Sequence, residues 1–191
     1  MTEDRDDAAI LEGKLYPATG TRRPLPRPRL DSLSDVLEGG YPVVLVVAPA
    51  GYGKSTLMAR WHAELLERHV PCAWLSLDPD DDDKVRFMRH LVAALHKADA
   101  RVGQSVSINL SADFAGGTKT LLEALAYELA RLEQRVVLFL DDMQFVRSPE
   151  VLEILDWLVN YAPRTLQQVI GTREKSGLRL SSLRVRQPQT V

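Results

Sequence analysis

A glycine-rich turn between an apolar strand and a predicted helix is the feature that most constrains this chain. Residues 43–47 are all Val or Leu, and the stretch that follows reads Ala48-Pro49-Ala50-Gly51-Tyr52-Gly53-Lys54-Ser55-Thr56. The glycines let successive backbone N–H groups point inward, the lysine adds a positive charge, and the serine hydroxyl can bind Mg²⁺. A helix predicted from Thr56 to about Arg68 directs its N-terminus at the same anion. The pattern predicts a phosphate-binding loop for a nucleoside triphosphate with Mg²⁺.

The predicted nucleotide contacts come from seven consecutive residues of this loop and helix start: Ala50, Gly51, Tyr52, Gly53, Lys54, Ser55 and Thr56. The usual phosphate-loop pattern has a glycine where this chain has Ala48. Alanine is the smallest substitute and costs little where the backbone keeps a negative φ. A chance Gly-Lys-Ser on a surface turn is the alternative, but the strand before it and the helix after it favour the phosphate loop.

Composition narrows the class of protein. Of 191 residues 45% are hydrophobic, the formal net charge is −2, and Cys72 is the single cysteine. A disulfide scaffold is therefore excluded, and the charge gives no general argument for nucleic acid or an anionic membrane as a partner. No apolar run approaches the roughly 20 residues that a membrane helix needs. We expect a cytoplasmic protein that does not associate with a membrane.

Three segments are predicted along the chain. Residues 1–20 are charged and lack apolar periodicity, so they are expected to form a disordered acidic tail. Residues 21–40 begin with alternating proline and arginine, which favours extended backbone, and Asp31 or Ser32 can then cap a short helix. Residues 41–191 form the predicted nucleotide-binding core.

Beyond the loop, strands and helices alternate. Apolar patterns predict strands at about 72–77, 136–141 and 166–171, and helices at about 84–98, 118–134 and 149–161. This order favours an α/β fold, a three-layer α/β/α sandwich with a mainly parallel sheet. Leucines at helical spacing are predicted to be core: Leu122, Leu125, Leu129 and Leu132.

Two further strand ends carry polar residues at the edge where such sheets bind ligands. Asp141, after residues 136–140, is the expected Mg²⁺-side carboxylate, and Asp142 can orient or deprotonate water. Arg173, after residues 166–171, could contact the γ-phosphate. The alternatives are a pair of acids that caps a turn and an arginine that is solvated at a strand end. With Lys54, Asp142 and Arg173 are the candidate catalytic residues; Ser55 and Asp141 are the candidate metal ligands.

These motifs, in this order, resemble the ATP-binding domain of the large ATP-dependent LuxR-type transcriptional regulators, a group of signal-transduction ATPases related to the AAA+ proteins. The resemblance runs from about residue 24 to about residue 186. It is carried by Pro26-Arg27-Pro28-Arg29-Leu30, the loop with Ala48, Trp74-Leu75-Ser76-Leu77-Asp78, Leu138-Phe139-Leu140-Asp141-Asp142 and Gly171-Thr172-Arg173.

The resemblance implies an AAA-like P-loop NTPase fold and a switch between ATP- and ADP-bound forms, with slow hydrolysis and self-association of the ATP form. It also implies that Arg27 and Arg29 lie on the adenine side of the nucleotide; a flexible basic linker is the alternative. The family's sensor repeats and DNA-binding helix-turn-helix have no counterpart here, so we expect a C-terminally truncated P-loop domain that does not bind DNA directly.

Two other functions fit the same loop. A small-molecule kinase of the P-loop class would pass the γ-phosphate to a metabolite, but its arginine-rich lid would have to come from residues 101–117, where Arg101 is the only arginine. A module that binds nucleotide without turnover is the other alternative. The acids Asp78 and Asp80 to Asp83 are interpreted as a solvated helix start rather than a cation site.

Overall fold

The computed structural model describes residues 10–18, 38, 40–106 and 117–173. Within these ranges one sheet contains β1 (Val43–Val47), β2 (Cys72–Ser76), β3 (Val136–Asp141) and β4 (Leu166–Thr172). The α-helices are α1 (Lys54–Glu67), α2 (Lys84–Ala98), α3 (Gly117–Ala130) and α4 (Pro149–Tyr161). Short 3-10 helices span Glu12–Leu15, Pro79–Asp82 and Met143–Phe145.

The strands lie in the order β1-β4-β3-β2, and every neighbouring pair is parallel. Val46 pairs with Gly171, and Ser76 with Asp141. Because parallel strands end at one edge of the sheet, the ends of β1, β3 and β4 lie side by side there. The predicted parallel α/β fold is confirmed.

The side chains of β3 show why the sheet has helices on both faces. Val136, Leu138 and Leu140 join a core with residues of α2, α3 and α4. Val137 and Phe139, which point the other way, pack with Met58, Trp61 and Leu65 of α1. Successive side chains of a strand alternate between faces, so a strand that is apolar throughout needs cover on both. The three-layer arrangement follows from this pattern.

Helical periodicity located the core correctly in the second half of the chain. The four leucines predicted as core in and after α3 are all buried, and so are Val151, Leu155 and Leu158 of α4. The predicted end of α3 at residue 134 is four residues too late, because the helix ends at Ala130. Leu132 remains buried although it lies beyond the helix end.

The prediction of a disordered tail over residues 1–20 is wrong for residues 10–18. These residues include the 3-10 helix Glu12–Leu15, in which Lys14 and Leu15 are buried. The Lys14 ammonium pairs with Asp78 at 2.8 Å and with the buried Asp81. The prediction considered only the polar composition of this segment, whereas the ion pairs of Lys14 with Asp78 and Asp81 hold it against the rest of the fold.

Several predictions concern residues outside the described ranges. They are the short helix capped at Asp31 or Ser32, the proline–arginine segment with Arg27 and Arg29, and the part of the chain after residue 173. Within the described part of the chain, none of the helices has the length and apolar character needed to cross a bilayer.

Candidate nucleotide site

The glycine loop joins β1 to α1 with two residues in left-handed backbone. Gly51 has φ 79° and Gly53 has φ 83°, a region that favours glycine. Gly53 is the N-cap of α1. Because glycine has no side chain, it cannot accept a hydrogen bond from the first backbone N–H groups of the helix. A Cβ built at Gly51 would meet no heavy atom of the described residues within 4 Å. Left-handed glycines at the start of a helix are the backbone geometry that an anion cradle uses.

Lys54 places its positive charge at the same loop. Its ammonium donates to the carbonyl oxygen of Ala48 at 2.7 Å and to that of Pro49 at 3.2 Å. The residue is only 7% exposed. The start of the loop is also tied to β4, because the Ala48 N–H donates to the Thr172 carbonyl at 3.3 Å. The Lys54 side chain therefore lies across the glycine loop and places its positive charge there.

Ser55 and Asp141 lie near each other at the start of α1. The Asp141 carboxylate is 4% exposed, and the Ser55 hydroxyl is close enough to lower its pKa. Burial raises the pKa of Asp141 above its ordinary value, and the nearby Asp142 charge raises it further; the Ser55 hydroxyl, the Asp142 N–H and the Lys54 charge oppose these effects in part. The net result is a buried carboxylate whose negative charge is incompletely compensated. A bound cation would relieve that cost.

Gly171 leaves room for the Asp141 carboxylate and the Met58 side chain. It lies in β4, between β1 and β3, and a Cβ there would stand 2.9 Å from Asp141 Oδ1 and 2.6 Å from Met58 Sδ. Both distances are closer than real Cβ contacts. A glycine within an apolar strand is a signal of close approach, and this signal could have identified the role of Gly171 from sequence.

Asp142 adopts left-handed backbone, φ 59° and ψ 38°, at the N-cap of the 3-10 helix Met143–Phe145. Aspartate tolerates this region better than most residues. Its N–H donates to Asp141 Oδ1 at 2.9 Å, and its own Oδ1 accepts from Gln144 Nε2 at 2.6 Å. The two acids therefore point to different partners: Asp141 toward α1 and Asp142 toward Gln144.

Arg173 lies close to Asp142 in the fold, but its side chain is placed elsewhere. Its backbone N–H donates to Gln144 Oε1 at 3.1 Å, while its guanidinium carbon lies 5.8 Å from the centroid of the Phe145 ring. The residue is exposed. The structure brings together Lys54, Ser55, Asp141 and Asp142, and it leaves the Arg173 guanidinium on Phe145.

The remaining predicted contacts lie at the loop tip and on the first turn of α1. Ala50, Gly51, Tyr52 and Thr56 are exposed, and 64% of Tyr52 is accessible to solvent. Sequence reasoning missed Gln144, which contacts both Asp142 and Arg173. A single glutamine in a three-residue helix produces no periodic signal, so only its distance of three residues from Asp141 pointed to it.

The donor set fits a hard cation that is shared with phosphate. Mg²⁺ prefers oxygen ligands and usually keeps several waters, with one or two protein ligands plus substrate phosphates. Ser55 and Asp141 would supply such oxygens. In the described part of the chain no three His, Cys, Asp or Glu side chains are grouped to hold a metal by themselves. The residues therefore suit a metal that arrives with a nucleotide.

Comparisons with known proteins give a family profile and relatives that match most of this chain. A family profile described as AAA domain matches residues 38–176. The serine/threonine-protein kinase PknK of Mycobacterium tuberculosis is 29% identical over 174 residues, and the HTH-type transcriptional regulator MalT of Cronobacter sakazakii is 30% identical over 147 residues. These alignments cover 88% and 77% of this chain but only 16% of each relative.

Among solved structures, Cdc6p from Pyrobaculum aerophilum superimposes with a TM-score of 0.62 at 15% identity, covering 95% of this chain and 48% of that one. At this identity the likeness concerns the fold alone. It agrees with the parallel sheet and with the strand ends that meet beside the glycine loop. Because the family profile covers most of the chain, this protein belongs to the AAA domain family of P-loop NTPases.

Proposed function

We propose that this domain binds ATP with Mg²⁺ at residues 50–56, hydrolyses it slowly, and acts as a nucleotide-dependent switch in a larger regulator. The convergence of the glycine loop and the buried Asp141 carboxylate carries the proposal, because the Lys54 ammonium and the Ser55 hydroxyl both lie near enough to this carboxylate to lower its pKa. Ser55 lies at the end of the glycine loop and Asp141 stands 86 positions later in the numbering, and burial raises the pKa of that carboxylate. A purely structural aspartate would be expected to have its charge matched by a partner.

Each residue of the proposed site would have a separate role in binding or hydrolysis. Loop N–H groups and the Lys54 ammonium bind the phosphates, while Ser55 and Asp141 hold the metal. When bound, Mg²⁺ neutralises charge that develops on the transferred phosphoryl group. Asp142, whose carboxylate is anchored at one oxygen by Gln144, orients the attacking water and accepts its proton.

Arg173 is proposed as a γ-phosphate contact that works only after its side chain moves. Its guanidinium now lies against Phe145, and because the residue is exposed the side chain can turn without breaking a buried contact. A contact made in the ATP form and lost in the ADP form is the differential interaction that a switch needs. Self-association of the ATP form is part of the same proposal.

The relatives support a regulatory role. The segment that matches this chain occurs both in a protein named as a transcriptional regulator and in one named as a serine/threonine-protein kinase, and it makes up 16% of each. A module shared by proteins with different outputs is better explained as a control unit than as the output itself. Within its described part, the proposed kinase lid offers no support for direct phosphate transfer, because Arg101 is paired with Asp99 at 2.8 Å.

The proposal is tested by separating binding from turnover. Calorimetry with Mg²⁺ and a non-hydrolysable ATP analogue should show that Lys54→Ala weakens binding by about 10- to 100-fold, the value of one charge-assisted hydrogen bond. Asp142→Asn should keep the affinity and lower the ATPase rate by about 100-fold or more. Lys119→Ala, whose side chain is 80% exposed on α3, is the matched control and should change neither.

Unchanged affinity in Lys54→Ala would contradict the site. Binding by the wild type without turnover would leave a nucleotide-binding module and remove the hydrolytic part of the proposal. Phosphate release that requires an added metabolite would favour the kinase alternative. Size-exclusion chromatography with the ATP analogue and with ADP tests whether the two forms differ in oligomeric state.

A further inference from the structure

We propose that Gln144 is a positioning residue for hydrolysis, which holds Asp142 in place and ties it to the end of β4. This inference rests on the proposed function, in which Asp142 orients water. The Gln144 side-chain amide uses both of its ends: Nε2 donates to Asp142 Oδ1 at 2.6 Å, and Oε1 accepts the Arg173 N–H at 3.1 Å. Gln144 therefore connects the candidate base directly to the strand that carries the candidate phosphate contact.

The chemistry of the side chain suits this position. A terminal amide offers a donor and an acceptor together, whereas a carboxylate has no donor and an ammonium has no acceptor. The amide is also neutral. It can hold an aspartate next to a metal and phosphate site without adding charge to that site, where Asp141 and Asp142 already lie side by side.

Asp142 needs such a support. Its backbone is left-handed, so the local chain does not by itself favour the observed orientation. It follows the last residue of β3 and begins a helix of only three residues. Gln144 supplies a contact to the neighbouring strand that this short helix cannot provide.

The end of β4 holds both halves of the site. The Thr172 carbonyl accepts the Ala48 N–H at the start of the glycine loop, and the next N–H, that of Arg173, donates to Gln144. Two consecutive residues thus fix the phosphate loop on one side and the Asp142 support on the other. A displacement of this strand end would alter the distance between the base and the phosphates.

The test compares kcat with nucleotide affinity in two variants. Gln144→Met keeps the length of the side chain and removes both hydrogen bonds; Gln144→Glu keeps an acceptor for Arg173 and loses the donor to Asp142. Each should lower kcat by about tenfold or more, since a misplaced catalytic group costs up to roughly 100-fold. Affinity for the ATP analogue with Mg²⁺ should stay within about twofold, because the hydrogen bonds of the Gln144 side chain go to Asp142 and Arg173, which are not among the proposed loop and metal contacts.

Gln134→Ala is the control, an exposed glutamine at the amino end of β3, and it should keep the wild-type kcat. Thermal unfolding of each variant checks the fold. A Gln144→Glu variant with wild-type kcat would overturn the inference, because this variant loses the donor to Asp142 and also adds a negative charge beside it. A parallel loss of affinity and thermal stability would also overturn it, since a structural role alone would then explain the effect.

The outcomes separate this inference from the function beneath it. If Asp142→Asn is inactive and both Gln144 variants turn over ATP as the wild type does, the hydrolytic site stands and the role of Gln144 falls. If the wild type shows no turnover, the hydrolytic proposal falls and takes this inference with it. If kcat drops in both variants while affinity and stability hold, the positioning role is supported.

Discussion

Asp81 and Asp141 are both buried aspartates, yet their surroundings shift the pKa of the carboxyl group in opposite directions. Asp81 is fully buried and Asp141 is 4% exposed. Burial raises the pKa of Asp81, but hydrogen bonds from His90, Lys14 and the Asp78 N–H outweigh it and bring the value down from 3.8 to about 2. At Asp141 the effect of burial is larger than the opposing effects of the neighbouring groups, so the pKa is raised.

The partners explain the difference. Asp81 has the Lys14 ammonium, His90 Nδ1 at 3.0 Å and the Asp78 N–H at 2.9 Å. These contacts fasten residues 10–18 to the start of α2. Asp141 has a neutral hydroxyl nearby, a second acid next to it, and a lysine whose hydrogen bonds go to loop carbonyls. The charge of Asp81 is matched within the protein, whereas burial outweighs the favourable contacts at Asp141.

The largest expected effect is on stability at the Asp81 cluster. Lys14→Met leaves Asp81 buried without its ammonium partner, and removal of one member of a buried ion pair costs about 3–5 kcal/mol. Lys84→Met is the control, because the Lys84 pair with Glu150 is partly exposed and should be worth about 1 kcal/mol or less. Urea unfolding measures both. Similar small losses would show that the buried cluster stabilises no more than a surface pair.

Neutralising Asp141 and neutralising Asp81 should have opposite effects on the stability of the protein alone and on its stabilisation by nucleotide. Without nucleotide, Asp141→Asn should be at least as stable as the wild type, because an incompletely compensated buried charge has been removed. With Mg²⁺ and the ATP analogue at 100 times Kd, the wild type should gain about 2.7 kcal/mol and this variant much less. Asp81→Asn should do the reverse, with lower stability alone and a full gain from nucleotide. Thermal unfolding with and without ligand would contradict the comparison if both variants behaved alike.

The pH dependence of stability should have opposite signs at the two sites. Asp81 stabilises the fold above its ordinary pKa of 3.8, and this stability is lost as the pH falls toward about 2. The whole contribution is about 2 kcal/mol. The raised pKa of Asp141 means that its favourable contribution is present at low pH and is lost as the pH rises through the raised value.

The measurement is urea unfolding from pH 2 to pH 7 for the wild type and both asparagine variants. The difference between the wild type and Asp81→Asn should grow as the pH rises from about 2 to about 4. The difference between the wild type and Asp141→Asn should move the other way, in favour of the variant as the pH rises. Parallel curves would mean that the two carboxylates have equivalent environments.

A further steric effect is expected at Gly171, beside Asp141. Gly171→Ala would place a Cβ 2.6 Å from Met58 Sδ and 2.9 Å from Asp141 Oδ1, so overpacking should cost about 1–3 kcal/mol. It should also reduce the stabilisation by Mg²⁺ and nucleotide. Gly13→Ala is the control near the Asp81 cluster, where a Cβ would meet no atom of the described residues within 4 Å. If Gly171→Ala proves as mild as the control, the steric role of Gly171 is wrong.

Local patterns were enough to predict the elements of the sheet. The strand at residues 136–141 and the helices at 84–98 and 149–161 have the predicted bounds. These patterns are local because a strand buried on both faces must be apolar throughout, and a packed helix must repeat its apolar residues about every 3.6 positions. The glycine loop was readable for the same reason, since left-handed backbone selects glycine at Gly51 and Gly53.

Contacts between distant positions could not be predicted in this way. Residues 10–18 were expected to be disordered because their own composition offers no core, but Lys14 finds its partner 67 positions later, at Asp81. The acids before α2 were interpreted as solvated. That holds for Asp80, whereas Asp81 is fully buried. Gln144 likewise matters through a bond to Arg173, 29 positions away, and its helix is too short to show a pattern.

From the sequence alone one could determine the parallel α/β domain, the glycine loop after β1 and the pair of acids at the end of β3, because each depends on residues adjacent in the chain. Tertiary structure decided which buried carboxylate has a lowered pKa and which has a raised one. It also placed the Arg173 guanidinium near the Phe145 ring and left room beside Gly171 for the side chains of Asp141 and Met58. The physical reason is that the state of a buried charge is set by every group around it, and folding brings those groups from remote parts of the chain.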